Sequence, residues 1–186
     1  MTTFRHFFSA AALALAATGA LAASDYAQVQ ALLDAGQSVQ AIKNAEEYLA
    51  TNPQDAQMRF LLANALAANG RAGDAQALLR QMCDDYPELA EPWNNLAVLH
   101  AAAGRLDDAA GALQEALRRN PDYATALENL GEVRVRQAYE AWQRAAALDA
   151  GLRVRLQPHV TALRAMTAPG APAASAAKAA SVPAAP

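Results

Sequence analysis

The sequence predicts an all-α chain, a right-handed α-solenoid of stacked helical hairpins, on three observations. Gly36, Gly70 and Gly104 recur thirty-four residues apart, as do Ala41, Ala75 and Ala109, and Pro53, Pro87 and Pro121. Between these marks the apolar residues keep the three-and-four spacing of an amphipathic helix. Trp93, Leu96, Ala97 and His100 do so before Gly104, and Leu106, Ala109, Leu113, Ala116 and Leu117 after it. Composition is the third: 54% of the 186 residues are hydrophobic but only 6% aromatic, so the helices are drawn together by small side chains. A period between about 20 and 50 residues marks supersecondary units that cannot bury an apolar face alone and must stack.

The clearest unit is Ala90 to Tyr123. Helices crossing at about 8–10 Å need small residues at the closest approach, which Ala97 and Ala109 supply while Trp93 and Leu113 fill the space at either end. Gly104 accepts the positive φ that stops a helix, Asp107 and Asp108 favour the next helix start, and Pro121 cannot continue it. Trp93, Leu96, Ala97, Gly104, Ala109, Leu113, Ala116 and Pro121 together resemble the tetratricopeptide repeat motif, in a stretch running from about Asp25 to Leu148. That resemblance implies a fold and a habit of binding protein or peptide, with no cofactor and no metal.

Residues 1–22 read as a secretory signal peptide. Arg5 is the only charge before an apolar run from Phe7 to about Leu21, and Ala20-Leu21-Ala22 is a small-x-small site, so cleavage is expected after Ala22. The run is too short for a membrane span, and the expected location is the periplasm. The repeat domain follows over 24–166, with a first repeat at about 24–55. Its helices are expected at Asp25–Ala35 and Ser38–Ala50, and Tyr48, standing where a small residue belongs, should splay them. The second repeat, 56–89, carries Arg59 in the place of Trp93 and should pack more loosely. The third, 90–123, is the best match.

The fourth unit, 124–149, lacks the five residues that would make its turn, and nothing from Glu132 to Asp149 breaks a helix. One continuous helix is expected from about Tyr123 to Leu148, near 40 Å long at 1.5 Å per residue. A short capping helix is expected over 152–166, with Pro158 in its first turn. Residues 167–186 are Ala/Pro/Ser-rich low complexity, expected to be disordered.

Catalytic signatures are missing: no phosphate loop, GxSxG elbow or HExxH helix occurs, and an enzyme is not expected. The lone Cys83 occupies the repeat position of Leu117 and reads as a small buried hydrophobe, while His100 reads as a packed, hydrogen-bonded core histidine. Charge is uneven. Sixteen acids against seven bases from Asp25 to Glu132 give −9, and six arginines against Glu140 and Asp149 from Arg134 to Arg164 give +4. Export and the acidic repeats disfavour nucleic acid.

By resemblance, the first helix of each repeat lines a concave groove. Its expected contacts are Phe60, Asn64, Asn94, Asn95, Val98, Asn129 and Glu132. Some members of the family clamp a C-terminal carboxylate with two asparagines and two cations. Asn64 and Asn95 match the asparagines, but Phe60, Thr125 and Asn129 stand where the cations belong, which argues against that ligand. The sequence therefore predicts a non-enzymatic adaptor of the cell envelope, holding a segment of an unidentified protein or peptide. The alternative is a self-associating, homo-oligomeric or membrane-surface subunit using the long helix and Arg-rich cap.

Overall fold

A computed structural model describes residues 25–167, and every regular element among them is an α-helix. The expected signal peptide and its cleavage site lie outside the described residues, as does the tail beyond Thr167. In order the helices are α1 (25–34), α2 (Ser38–Leu49), α3 (Ala56–Ala68), α4 (Ala72–Asp85), α5 (Glu91–Ala102), α6 (Leu106–Arg119), α7 (Ala124–Leu148) and α8 (Ala150–Thr167). None is long and apolar enough to cross a membrane. The chain forms two compact units that divide within α4, between Leu78 and Leu79.

The thirty-four-residue rhythm has a hydrogen-bonded counterpart. Gly36, Gly70 and Gly104 all take positive φ, at 71°, 77° and 74°. Each donates its N–H three residues back, to Leu33, Ala67 and Ala101. Each following residue donates five back, from Gln37, Arg71 and Arg105 to Leu32, Leu66 and His100. This pair of bonds is the Schellman motif, repeated three times, and it reverses the chain so that a second helix returns along the first. Ala41, Ala75 and Ala109, the small residues expected at the helix contacts, are fully buried.

In the first unit the bulk of Tyr48 is absorbed by a partner. Tyr26 of α1 and Tyr48 of α2 meet with ring centroids 5.7 Å apart, and the Tyr26 hydroxyl hydrogen-bonds both Tyr48 and Asp55. Asp55 also caps α3 by accepting from the Met58 N–H at 2.7 Å, so one carboxylate ties three helices together. Burial and the Asp55 bond push the Tyr26 phenol well above its ordinary range. Arg59, expected to pack loosely, is instead buried, as are its neighbours Met58, Phe60 and Leu61. Four consecutive residues point in four directions around a helix, so α3 is enclosed on nearly every side.

In the second unit α5 and α6 form the third hairpin. Their core joins Ala97, Leu106, Ala109, Leu113 and Ala116 with Ala126 and Val133 of α7, and Trp93 and Tyr123 pack against it. The Arg119 guanidinium lies 4.7 Å from the centre of the Trp93 ring, and its Nε donates to the Pro87 carbonyl at 2.7 Å. Cys83 is buried, and burial pushes its thiol up to about 12, which leaves it an inert hydrophobe.

α7 is one unbroken helix of 25 residues, as the missing turn requires. At its end Asp149 takes extended backbone and caps α8, its Oδ1 accepting from the N–H groups of Gly151 and Leu152. α8 is longer than expected at both ends, beginning at Ala150 and including Thr167, and Pro158 lies in its interior rather than its first turn. The Asp149 cap starts the helix two residues early, which displaces the proline inward. Antiparallel packing on α7 then holds α8 through the missing N–H; the His159 ring meets Trp142 edge-on at 5.1 Å.

Candidate functional site

Between α5 and α7, over α6, the second unit opens a cleft of about 140 Å³. Ala97, Val98, Ala101 and Ala102 form one wall, Leu113 lies at the base, and Asn129, Glu132, Val133 and Arg136 form the other wall. The spacing explains the grouping. Residues at i, i+3, i+4 and i+7 share a helix face, and 129, 132, 133 and 136 keep that interval on α7. The floor is apolar, and the polar groups lie on α7 alone. A cavity of about 150 Å³ admits one benzene, so this cleft suits a single mid-sized apolar side chain.

Three of the seven expected groove residues, Val98, Asn129 and Glu132, line this cleft. Asn94 does not, and its placement is a correction. It is 3% exposed, donates to Asn95 Oδ1 at 3.1 Å, and accepts from Asn129 Nδ2 at 2.8 Å. Its amide fastens α5 to α7 and is consumed in doing so, because a buried carboxamide must find partners inside the fold. Asn95 supports that bond and is half-buried. Phe60 is a second correction: at 1% exposure it presents no surface to a ligand, since the apolar α3 is enclosed around it. Asn64, half-buried on α3, belongs to the first unit.

Arg136 was missed. Sequence reasoning ended the groove at Glu132, where the first helix of an ordinary repeat would be finishing. Because α7 runs on, its groove face runs on too and adds a cation one turn later. The signal was present in the interval 129, 132, 136 once the helix is read as continuous. Neither Glu132 nor Arg136 forms an ion pair among the described residues, so the cleft offers one charge of each sign beside the Asn129 amide.

In the last turn of α5, the buried His100 accepts a hydrogen bond at Nδ1 from Arg105 Nε at 3.0 Å. Burial, then the nearby Arg105, hold its pKa below the usual imidazole value, against a smaller opposing pull from Asp108 and a further lowering by Arg80. It is a neutral packing residue at the helix turn. Among the described residues, no group of three His, Cys, Asp or Glu side chains is placed to hold a metal ion.

Two overlapping family models, each described as tetratricopeptide repeat, match residues 26–90 and 66–130. The chain belongs to the tetratricopeptide repeat family. That makes it an all-α protein of the solenoid class and a protein-interaction scaffold, in a family whose members are generally non-catalytic. No curated protein matches it.

Solved structures share the fold at low identity. TTC0263, a thermophilic tetratricopeptide repeat protein of Thermus thermophilus, aligns with a TM-score of 0.56 at 21% identity, over 74% of this chain and 80% of that one. MamA aligns with a TM-score of 0.52 at 17% identity, over 73% and 71%. A chain of the Naa15/Naa10 complex bound to HypK-THB aligns with a TM-score of 0.55 at 19% identity, over 76% of this chain. This tetratricopeptide chain spans about a fifth (21%) of that much longer one.

Proposed function

We propose that the protein is an exported adaptor of the cell envelope that grips a polypeptide segment in the cleft between α5 and α7. The observation that carries this reading is the cleft itself: an apolar floor sized for one side chain, edged by Asn129, Glu132 and Arg136. An amide, a carboxylate and a guanidinium can together satisfy a peptide main chain and one flanking charge of either sign. The contacts are generic, so the cleft reads shape and a single apolar anchor more than a sequence. Export rests on Arg5, the apolar run from Phe7 and the Ala20-Leu21-Ala22 site.

Site-specific photocrosslinking tests the cleft. A photoreactive residue at Val98 should trap a defined envelope protein, and Ala102→Trp, which fills the cleft, should abolish trapping. The same tryptophan at the exposed Gln114 of α6 should leave it intact. Trapping that ignores Ala102→Trp sinks the cleft as the binding site. Cell fractionation with N-terminal sequencing tests export, with a periplasmic chain beginning at Ala23 as the expected result.

A further inference from the structure

We propose that copies of this chain associate head to tail, the basic tip of the α7–α8 hairpin of one copy docking on an acidic edge of the next. Among the described residues Arg80 of α4 is exposed and forms no ion pair, but most bases within the repeats are used internally: Arg71 pairs with Asp74, Arg105 with Asp108, and Arg118 and Arg119 with Glu115. By contrast Arg134, Arg136, Arg144, Arg153 and Arg155 are exposed and form no ion pair among the described residues. Arg134 donates to Gln137 and Arg153 to the Ala146 carbonyl, neutral acceptors that leave both guanidinium charges uncompensated.

Three of these arginines, Arg144, Arg153 and Arg155, flank the Asp149 turn. The same turn carries two exposed apolar side chains, Leu148 at 81% and Val154 at 79%. Apolar groups rimmed by arginine are the make-up of a protein interface, where arginine is enriched and lysine is not.

The matching surface is in the same unit. The Arg119–Pro87 hydrogen bond holds the loop after α4 against the C-terminal end of α6. Around that junction Asp84, Glu88 and Asp122 are all exposed and form no ion pair among the described residues. The cations at the junction, Arg118 and Arg119, share the one carboxylate of Glu115, so one uncompensated guanidinium charge stands against the three free carboxylates and the edge stays net acidic.

α7 keeps the two surfaces apart. It begins at the acidic edge and ends at the basic tip, and its 25 residues measure about 37 Å at 1.5 Å per residue. The Debye length at physiological salt is about 8 Å, so the edge at Asp84, Glu88 and Asp122 cannot neutralise the tip of its own copy across that distance. Asp149 apart, only Arg144 among the tip arginines shares a cleft with acids, Asp107, Asp108 and Glu140. The edge of a second copy can neutralise the tip. Because the two surfaces differ, the contact is heterologous and repeats along a row instead of closing as a two-fold dimer.

Analytical ultracentrifugation of the purified protein tests this. At low ionic strength the weight-average mass should climb with concentration to at least about twice that of one chain, and it should collapse to monomer at about 1 M salt, where the Debye length is about 3 Å. The exposed charge reversals Arg144→Glu/Arg153→Glu/Arg155→Glu and Asp84→Lys/Glu88→Lys/Asp122→Lys should each be monomeric alone. Mixing the two should restore association. A salt-insensitive monomer, or association that survives either reversal, overturns the proposal. So does a monomer that cosediments with phosphatidylglycerol vesicles through the same arginines, which would make the tip a lipid contact.

Discussion

The third repeat and the unit after it start with the same residue pattern and end as different structures. Thirty-four residues beyond Trp93, Leu96 and Ala97 stand Leu127, Leu130 and Gly131. In α5 Trp93 packs on the core and Ala97 is buried; in α7 Leu127 is 51% exposed and Gly131 lies open. The cause is about two turns further on. Gly104 takes φ +74° and lets α6 fold back across Ala97, whereas its counterpart is Ala138, and the helix continues. No helix returns along that face at Gly131. Burial in this fold is therefore a property of the completed hairpin and not of the residue that begins it.

Substitution at the paired positions should show the contrast most strongly. Ala97→Leu adds volume at the buried α5–α6 contact, relieved only where Ala97 borders the cleft, and should cost about 1–2 kcal/mol, while Gly131→Leu should cost nothing measurable in urea denaturation. An equal loss at both positions would mean α7 is covered where it is now open. Comparable in size is the turn itself. Gly104→Ala must hold a Cβ at positive φ and should lose about 1–2 kcal/mol, although no atom lies within 4 Å of the added carbon. Loss of α5–α6 amide protection in hydrogen exchange would accompany it.

His100 and its counterpart Arg134 separate the regions by pH. The native pKa of His100 is held below the unfolded value of 6.5, so the unfolded chain takes up the proton first as pH falls. This contribution to stability is intact above about pH 6.5 and shrinks as pH drops below it, levelling off only once the native histidine is also protonated. His100→Gln should flatten that part of a stability-against-pH curve, and Arg134→Gln should not. The smallest effect is a gain: Gly131→Ala relieves helical glycine with no atom within 4 Å and should stabilise by up to about 1 kcal/mol in thermal denaturation.

Much of the fold was legible because it rests on local chemistry. Glycines thirty-four apart fixed the three turns, small residues fixed the contacts, and a missing turn was enough to foresee the unbroken α7. The errors came where a neighbour decides. Tyr48 was expected to splay its hairpin, but Tyr26, 22 residues upstream, and Asp55, 7 residues downstream, take up its ring and hydroxyl. Pro158 looked like a helix start until the Asp149 cap moved the start upstream. Of the residues that line the cleft, Val98, Asn129 and Glu132 were named through the family resemblance, and Arg136 would have been had the groove been followed along α7.

What the sequence settled alone was the number of hairpins, their turns and the point where repetition stops, since each depends on backbone preference within a few residues. Only the tertiary structure decided that Asn94 is a tie and Asn129 a lining residue, and that Phe60 is enclosed. Adjacent positions on one helix carry the same propensity. Which of them meets another helix and which meets water depends on partners thirty or more residues away.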